Sequence, residues 1–261
     1  LKNIDGIKSK IVAGDFYELN YCIEWQSENE FPQPAKAYQG LQEKMKAPFS
    51  CYFQLDDVQL LCNSLERFLK KTGSKIISQP IKGTQPRNQH SDIDLKNKNL
   101  LKSEKDLTEN IMIVDLVRND LSKIAQKGSV KVSELAQTYT FNQVHQLIST
   151  VECEIEPNIY FTDILKATFP MGSMTGMPKI SMMNYAEEME TFHRDIYSGT
   201  VGYITPEGDF DFNVVIRSLI NFPLQNKSYI RAGGAITIDS DPMKEWEECH
   251  LKAQKILQYF E

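Results

Sequence analysis

The apolar residues of this chain follow two periods, which predict helices and strands in alternating blocks. Ile4, Ile7 and Ile11 recur at helical spacing before Gly14, and alternation over residues 17–25 then favours a strand. Two apolar runs, Phe49–Leu55 and Val58–Cys62, flank a short polar turn as in a hairpin. Further strands are predicted at Tyr139–Glu154, Tyr197–Ile204, Phe210–Ile220 and Lys227–Ile238. Helices are predicted near 33–46, 103–118, 160–168, 178–190 and 242–260.

These blocks predict the class of the fold. Strands that follow one another closely favour antiparallel pairing, and helices and strands that segregate in runs favour an α+β fold. We expect one domain over residues 1–261, with antiparallel β-sheets packed face to face and helices on the outside. The most linker-like stretch, Asn88–Leu100, is polar and is expected to be an excursion from the fold.

Composition and charge exclude several classes of protein. With 261 residues, of which 41% are hydrophobic and 25% charged, the chain can bury a large core and is expected to be soluble and globular. A net charge of -6 and the lack of any Lys/Arg-rich run leave no electrostatic footprint for nucleic acid or a membrane surface. The five cysteines are scattered and never spaced as CxxC, which argues against a disulfide framework or a zinc site and favours the cytoplasm.

One lysine stands out because of its neighbours. The segment Pro80–Arg87 holds Lys82 between two prolines and beside Gly83. Proline fixes φ and glycine permits a tight backbone path, so the pattern predicts a stiff turn that projects the amine. A lysine held in this way is a candidate nucleophile. On the local pattern alone, a solvated turn lysine is the more common alternative.

A candidate carboxylate, Glu109, lies on a helix that Ser103 and Asp106 are predicted to cap. That helix is apolar nearly all round, so a bare carboxylate on it is costly. Glu109 is therefore expected near the exposed end, in a salt bridge, or on a metal ion. The pattern by itself favours the salt bridge or solvent.

The final helix carries a second group of charges. Asp241 is a good N-cap and Pro242 suits the first helical position. A predicted core stripe contains Trp246, Cys249, Ala253, Ile256, Leu257 and Phe260. Glu245, Glu248 and Lys252 fall along one edge of that stripe, where they either border a cleft or make an ordinary surface pair worth about 0.3–0.5 kcal/mol.

Two glycine-containing segments could bring backbone amides close to a ligand. Phe169–Lys179 is a loop that leads into a helix expected to begin at Pro178, and such N-termini can hold an anion. It lacks the order of a nucleotide-binding loop, and a tight turn capped by a threonine hydroxyl explains it equally well. Arg231–Ala235 offers a second close approach, or a simple strand bulge. Two such segments suit a substrate with two carboxylates.

In this order the segments resemble the chorismate-utilising enzymes, a family that includes anthranilate, isochorismate and salicylate synthases. The resemblance extends from Gly14 to the final helix. It rests on seven ordered blocks: Pro80–Arg87, Glu109–Leu121, His145–Ser149, Gly172–Lys179, Tyr197–Gly199, Ile216–Ser218, and Asp239–Pro242 with Glu245–Lys252. Most of the family carries alanine at the position of Lys82, whereas a lysine there is typical of the aminodeoxychorismate synthase component I branch.

The resemblance implies a cofactor and a set of substrate contacts. A Mg2+ ion would be held by Glu109 and Glu248, with Glu245 nearby, and would receive the ring carboxylate of chorismate. Two glutamates suffice because Mg2+ keeps waters and substrate oxygens as its other ligands. The residues implied for substrate binding are Arg217, Lys252, Thr175, Tyr197 and the amides around Gly233 and Gly234. His145 matches the family's active-site histidine, although a lone histidine in a strand is more often a core residue.

The implied reaction replaces the ring 4-hydroxyl of chorismate by an amino group without loss of pyruvate, a step toward para-aminobenzoate and folate. Lys82 would add to the ring first, Glu66 would donate a proton to the leaving hydroxyl, and ammonia would then displace the lysine. A lysine with a pKa of about 10.4 is almost fully protonated at neutral pH. The site is therefore predicted to lower the pKa of Lys82 and to raise the pKa of Glu66.

The ammonia is expected from a separate glutamine amidotransferase subunit, because no cysteine lies in a nucleophile-elbow pattern. One departure from the family is Glu18, where amino-transferring relatives usually carry glutamine. The chain opens at Leu1, and the family's N-terminal region is expected to be absent or truncated. Two alternatives stay open. One is anthranilate synthase component I, which releases pyruvate and which Lys82 disfavours, and the other is a non-catalytic fragment that binds chorismate or supports the glutaminase.

Overall fold

The computed structural model describes residues 2–29, 31–141, 144–156 and 158–260. Its helices are α1 (Lys2–Val12), α2 (Pro34–Met45), α3 (Ser91–Leu100), α4 (Glu104–Ser122), α5 (Phe161–Thr168), α6 (Lys179–Met189) and α7 (Pro242–Leu257). Its strands are β1 (Glu18–Ser27), β2 (Phe49–Leu55), β3 (Val58–Ser64), β4 (Arg67–Thr72), β5 (Lys75–Gln79), β6 (Ile81–Pro86), β7 (Lys131–Thr140), β8 (Val144–Glu154), β9 (Gly176–Met177), β10 (Gly202–Ile204), β11 (Phe210–Asn213), β12 (Ser218–Phe222) and β13 (Lys227–Ile236). The described residues form two compact units. The first unit draws on Leu1–Leu65, Met174–Val201 and Val214–Glu261, and the second on Glu66–Ser173 and Gly202–Asn213.

The first unit is built on a six-stranded sheet in the order β2, β3, β12, β13, β1, β9. β1 and β13 pair in an unbroken antiparallel register from Leu19 and Ile236 to Ser27 and Ser228. Leu61, Leu219 and Ile230 of the sheet share one apolar cluster with buried residues of α2 and α7. A second cluster joins Leu19 and Ile236 to α1 and α6. Each buried side chain of this kind contributes about 1.5–3 kcal/mol to the stability of the fold. The first cluster therefore fixes α7 against β13.

The second unit is built on a seven-stranded antiparallel sheet. β10, β11, β4, β5, β8 and β6 follow one another, and β7 also pairs with β8. α4 packs against β6, β7 and β8. It begins as predicted, because Ser103 Oγ accepts a hydrogen bond from the Asp106 amide at 3.1 Å. It is not buried all round, since the apolar side chain of Ile111 is 49% exposed.

The α+β class with antiparallel sheets is confirmed, and several element predictions were wrong. The predicted strand Tyr139–Glu154 comprises the end of β7 and the whole of β8. The residues predicted as the strand Tyr197–Ile204 become a strand only at Gly202. The predicted strand Phe210–Ile220 is two strands, separated by residues 214–217, because Arg217 adopts a left-handed conformation with φ 52°. The predicted excursion Asn88–Leu100 contains α3, which the pattern missed because the helix has no buried residue to mark an apolar stripe.

The single-domain organisation over residues 1–261 and the face-to-face packing of the sheets stay predictions. Within the part of the chain that the structure describes, no helix combines the length and the apolar character that crossing a membrane requires.

Candidate active site

Lys82 lies on a strand and not in the turn that the sequence predicted. In the pairing of β6 with β8, Lys82 is opposite Leu147 and Thr84 is opposite Gln146, so Gly83 is an extra residue that forms a bulge. Gly83 has a φ of 80°, which glycine adopts without a steric penalty. The side chain of Lys82 is only 10% exposed. Its amine therefore projects from a paired strand, next to a bulge, and is mostly removed from water.

Helix α4 comes very close to this bulge. A Cβ on Gly83 would lie 3.1 Å from Leu101 Cδ2 and 3.2 Å from Asp106 Oδ1. A side chain at this position would therefore press on the residues at the start of α4. The glycine thus serves two needs, the positive φ and the close approach of the helix that carries Glu109.

Glu109 lies between two lysines. Lys82 Nζ is 3.9 Å from Glu109 Oε2, and Lys105 Nζ, one helical turn earlier, is 3.8 Å from Glu109 Oε1. The side chains of Glu109 and Lys82 are 12% and 10% exposed, whereas that of Lys105 is 53% exposed. Salt bridges, one of the alternatives for Glu109, are present in the structure, and its role as a metal ligand stays a prediction. One of its two partners is the lysine that the sequence singled out as a nucleophile.

His145 on β8 is buried, and both of its ring nitrogens have partners. Nε2 lies 3.0 Å from Asp94 Oδ1 on α3, and Nδ1 lies 3.0 Å from Thr140 Oγ1. Asp94 also accepts hydrogen bonds from Arg87 Nε at 2.9 Å and from the Asn88 amide at 2.8 Å. These contacts suit the core-residue alternative for His145, and its catalytic role stays a prediction.

The network around His145 makes the stability of the fold depend on pH. Hydrogen bonds from Arg87, then from the Asn88 amide and from His145, lower the pKa of Asp94 from 3.8 to about 2. Because this pKa is lower in the folded than in the unfolded chain, the contribution is complete above about pH 4 and is lost as the pH falls toward 2. We expect Asp94→Asn to lower the free energy of unfolding clearly at about pH 6 and much less at about pH 2.5. Urea unfolding at both pH values measures the difference.

The matched control for this prediction is Asp92→Asn, which changes an exposed carboxylate in the same first turn of α3. Its effect on the free energy of unfolding is expected to be small at both pH values. An equal loss of stability at both pH values in Asp94→Asn would contradict the assignment of a lowered pKa to Asp94.

The first turns of α7 place two carboxylates and an amine around Gly234. A Cβ on Gly234 would lie 3.1 Å from Glu245 Oε2 and 4.0 Å from both Glu248 Oε1 and Lys252 Nζ. Glu245 is buried, and its Oε1 accepts a hydrogen bond from Ser240 Oγ at 2.7 Å. The predicted edge of charges on α7 therefore converges on the predicted glycine pair of β13.

Lys252 connects this cluster to Arg217. Its Nζ donates to the Gly233 carbonyl at 2.7 Å and lies 2.6 Å from Glu248 Oε1. Arg217 Nη1 donates to the Lys252 carbonyl at 3.1 Å. Burial lowers the pKa of Arg217, yet a guanidinium starts above about 12 and stays charged. The first unit thus brings two cations and two carboxylates together beside the backbone of Gly233 and Gly234.

Tyr197 is anchored beside the same segment as Arg217. The Ser198 amide donates to the Val215 carbonyl at 2.9 Å, and the Val215 amide donates to the Gly199 carbonyl at 2.8 Å. Burial raises the pKa of Tyr197 well above its usual value, and the Cys22 thiol, to which its hydroxyl is hydrogen-bonded, acts in the same direction. The hydroxyl therefore remains protonated and can donate a hydrogen bond.

Arg194 joins strand β1 to the segment that contains Met174, and the sequence analysis did not single it out. Its Nη1 donates to the Met174 carbonyl at 2.7 Å and its Nη2 to the Asn20 carbonyl at 2.9 Å. Its Nε and Nη2 also bind the two carboxylate oxygens of Glu190 at 2.8 and 2.6 Å. The Asn20 amide in turn donates to the Thr175 carbonyl at 2.7 Å. The i,i+4 spacing of Glu190 and Arg194 was the one local signal for this hub.

The donors around Gly234 suit magnesium. Mg2+ commonly binds one or two carboxylates and completes its shell with waters and substrate oxygens, and Glu245 and Glu248 supply carboxylates of this kind. Among the residues that the structure describes, no three His, Cys, Asp or Glu side chains group together as a metal site. The third predicted ligand, Glu109, belongs to the second unit.

The predicted site residues divide between the two units. Lys82, Glu66, Glu109 and His145 belong to the second unit. Glu66 is buried and lies in the short connection that joins the end of β3 to the start of β4 in the sequence. The first unit holds Thr175, Tyr197, Arg217, Gly233, Gly234, Glu245, Glu248 and Lys252. Two clusters therefore stand out, the Lys82 and Glu109 pair in one unit and the charges around Gly234 in the other.

Comparison with known proteins gives a consistent result. The sequence matches the family described as chorismate binding enzyme over residues 1–258. It is 36% identical over 256 residues to aminodeoxychorismate synthase component 1 of Klebsiella aerogenes, covering 98% of this chain and 56% of that protein. The protein of the same name from Salmonella typhimurium is 36% identical over 252 residues, covering 96% and 55%.

A solved structure supports the fold. Anthranilate synthase component I from Streptococcus pneumoniae TIGR4 superposes with a TM-score of 0.87 at 28% identity, covering 100% of this chain and 57% of that one. The present chain therefore spans just over half the length of these relatives. Because the family match extends over nearly every residue, the chain belongs to the chorismate binding enzymes.

Proposed function

We propose that this chain forms the catalytic part of an enzyme that converts chorismate and ammonia into 4-amino-4-deoxychorismate. The observation that carries the proposal is the amine of Lys82, mostly buried on β6 and 3.9 Å from Glu109. Burial favours the neutral, nucleophilic form of this amine and holds it in place, whereas the Glu109 carboxylate favours the ammonium, so the proposal requires desolvation to outweigh that attraction. The names of the Klebsiella aerogenes and Salmonella typhimurium relatives support the same activity.

Binding of chorismate is assigned to the charges around Gly234. Arg217 would hold a substrate carboxylate with its guanidinium fork, and Lys252 would act as a point charge. The Lys252 amine lies 2.6 Å from Glu248 Oε1, and it would also donate a hydrogen bond to a substrate oxygen. The amides around Gly233 and Gly234 and the hydroxyls of Thr175 and Tyr197 are the remaining proposed contacts.

The chemical steps are assigned to Lys82 and Glu66. The neutral amine of Lys82 forms a C–N bond to the ring while the C–O bond of the 4-hydroxyl breaks, and Glu66 gives the proton with which the hydroxyl leaves as water. Ammonia then forms the C–N bond at ring position 4 while the bond to Lys82 breaks. The lysine amine is regenerated, Glu66 regains a proton from the new ammonium group, and pyruvate is not released.

Mg2+ is the proposed cofactor, with Glu245, Glu248 and Glu109 as its carboxylate ligands. When bound, such an ion supplies positive charge that fixes and polarises a substrate carboxylate. The ammonia is proposed to come from a separate glutamine amidotransferase subunit, because none of the five cysteines lies in a nucleophile-elbow sequence.

Mass spectrometry of the products tests the proposed reaction. The chain is incubated with chorismate, Mg2+ and a high concentration of ammonium at mildly alkaline pH, which supplies ammonia without a partner. Intact aminodeoxychorismate that is lost on chelation with EDTA is the expected result. Chorismate that stays unchanged in the presence of a folded chain would favour a binding or scaffold role.

Anthranilate formation is the second candidate reaction. The observation in its favour is the close structural likeness to anthranilate synthase component I from Streptococcus pneumoniae TIGR4. The same assay separates the two, because anthranilate appears together with pyruvate. Equal amounts of anthranilate and pyruvate would overturn the proposal based on Lys82.

Replacing Gly234 with alanine should weaken substrate binding. The new Cβ would lie 3.1 Å from Glu245 Oε2 and 4.0 Å from both Glu248 Oε1 and Lys252 Nζ, so it would occupy the space on which these charges converge. We expect the KM for chorismate to rise about tenfold, while kcat changes little. Steady-state kinetics over a range of chorismate concentrations measures both.

The matched control is Gly6→Ala. A Cβ on Gly6 meets nothing within 4 Å, and Gly6 lies on α1 without a positive φ. Its KM should therefore equal that of the unchanged chain. A KM for Gly234→Ala that stays within twofold of this control (about 0.4 kcal/mol) would show that substrate does not approach Gly234.

A further inference from the structure

Two cysteines that are separate in the sequence face each other in the first unit. Cys51 on the edge strand β2 lies directly opposite Cys62 on β3. The hairpin keeps its register without a bulge over all seven pairs, from Phe49 and Ser64 to Leu55 and Val58. Both cysteines are thiols in the structure.

The spacing of such a pair fits a disulfide. Residues directly opposite each other in antiparallel strands have Cα atoms about 4.5 or 5.5 Å apart, depending on the type of pair. Disulfides span Cα distances of about 4.4–6.8 Å, so both types of pair lie within range. The remaining cysteines on strands have other partners, since Cys22 lies opposite Gly233 and Cys153 opposite Ile76.

We propose that Cys51 and Cys62 are a site of reversible covalent modification, at which a small-molecule disulfide such as oxidised glutathione produces a cross-strand disulfide. The order of events follows from burial. Cys51 is partly exposed on an edge strand, whereas Cys62 is fully buried. The oxidant therefore meets Cys51 first.

The exchange balances in two steps. The Cys51 thiolate attacks one sulfur of oxidised glutathione, which forms a mixed disulfide and releases one glutathione thiolate. The Cys62 thiolate then attacks the sulfur of Cys51, which forms the Cys51–Cys62 bond and releases the second glutathione. The two cysteines lose two electrons and two protons, and oxidised glutathione gains them as two thiols.

The pair lies next to a segment that the fold holds in an unusual conformation. Cys62 Sγ is 3.8 Å from the Ile216 carbonyl, and the Asn63 amide donates to the Arg217 carbonyl at 3.2 Å. Formation of the disulfide removes the S–H donor from the Ile216 carbonyl. The modification would thus be made directly beside the left-handed Arg217.

The test measures the number of thiols and the mass of the chain, and it does not depend on the enzymatic activity proposed above. The folded chain is incubated with oxidised glutathione, and its thiols are then titrated in denaturant. We expect the five thiols to fall to three and the mass of the intact chain to fall by about 2 Da. Dithiothreitol should restore all five.

Mapping the bond requires a second cleavage. No Lys or Arg lies between Lys46 and Arg67, so trypsin releases both cysteines in the single peptide 47–67. Cleavage before Asp56 and Asp57 then divides this peptide, and the two halves should stay joined until they are reduced. Halves that separate without reduction, or a cross-link that involves Cys22, Cys153 or Cys249, would overturn the proposal.

Two serine variants separate reactivity from geometry. Cys62→Ser should retain one glutathione on Cys51, because the second step is blocked. Cys51→Ser should acquire neither glutathione nor a cross-link. If Cys62→Ser carries glutathione while the unchanged chain keeps its mixed disulfide, Cys62 does not reach Cys51 and the proposal fails. The proposal also fails if Cys51 of the unchanged chain does not react with oxidised glutathione, which the thiol titration and the intact mass show without any variant.

Discussion

Replacing Lys82 with alanine is expected to lower kcat for amination of chorismate about a thousandfold or more, with a smaller loss of stability than Arg194→Met because Lys105 still faces Glu109. The amine is proposed to form the first bond to the ring, and no neighbouring group replaces that function. Lys105 is a poor substitute because its half-exposed side chain lies on the other oxygen of Glu109. Product formation under saturating ammonium measures the loss.

Lys105→Ala is the matched control, because both lysines lie within 4 Å of Glu109. If the lysines merely neutralise that carboxylate, the two alanine variants should lose similar activity. We expect Lys105→Ala to stay within about threefold of the unchanged chain, a difference of about 0.7 kcal/mol. Lys82→Arg adds a sharper comparison, since it keeps the positive charge but cannot be deprotonated. An active Lys82→Arg variant would rule out the covalent step.

The covalent step also has a readout of its own. When ammonia is withheld, the second displacement cannot occur, so the lysine should keep the ring. Intact-protein mass spectrometry should then show a mass increase equal to chorismate less one water, located on Lys82 and missing from Lys82→Ala. Loss of turnover in Lys82→Ala without any adduct in the unchanged chain would leave Lys82 a positioning role and contradict the proposed chemistry.

Local patterns predicted the final helix well because its determinants are local. Asp241 accepts hydrogen bonds from two amides of the first turn, as an N-cap does. Glu245, Glu248 and Lys252 lie within two turns of one another, so helical periodicity alone places them on one edge. The same periodicity failed for Trp246, which was assigned to the core but is 46% exposed and stacks on His250. An apolar stripe indicates which face of a helix packs against the protein, but it does not indicate how much of that face neighbouring elements cover.

The strand that carries Lys82 could not be predicted from local signals. Proline and glycine normally interrupt strands, which is why Pro80–Arg87 suggested a turn. In the structure Gly83 is absorbed as a bulge, and Pro86 ends a strand that, among the described strands, pairs only with β8. Both exceptions depend on a partner strand about 60 residues away in the sequence. The sequence singled out Lys82 as a candidate nucleophile, but it did not reveal the conformation of the strand that carries it.

Buried polar hubs were the least predictable feature. His145 was identified by its family position, yet its partners Asp94 and Thr140 come from α3 and β7. Arg194 binds main-chain carbonyls, which leave no mark in the sequence because every residue has one. Apart from the i,i+4 spacing of Glu190 and Arg194, contacts of this kind appear only when distant segments are brought together, so periodicity and spacing do not reveal them.

The second large effect is expected from Arg194→Met, which should lower the free energy of unfolding by about 3 kcal/mol or more. Methionine keeps much of the length of the side chain but removes the charge and every donor. Glu190, whose side chain is only 3% exposed, would then be a buried carboxylate without its cation. The carbonyls of Met174 and Asn20 would lose their donor as well. Urea unfolding monitored by circular dichroism measures the change.

Two comparisons decide whether the buried carboxylate of Glu190 causes the loss of stability in Arg194→Met. Arg118→Met removes an arginine from an exposed pair with Asp115, whose side chains are 52% and 61% exposed, and should cost no more than about 0.5 kcal/mol. Adding Glu190→Gln to Arg194→Met removes the stranded carboxylate, so the double variant should be less destabilised than the sum of the two single variants. Strict additivity, or a loss in Arg194→Met as small as that in Arg118→Met, would mean that the hub does not hold the loop carrying Thr175. That loop and Tyr197 are proposed to contact chorismate, and the double variant still lacks the arginine that holds the loop. We therefore expect the double variant to be more stable than Arg194→Met while its KM for chorismate stays raised.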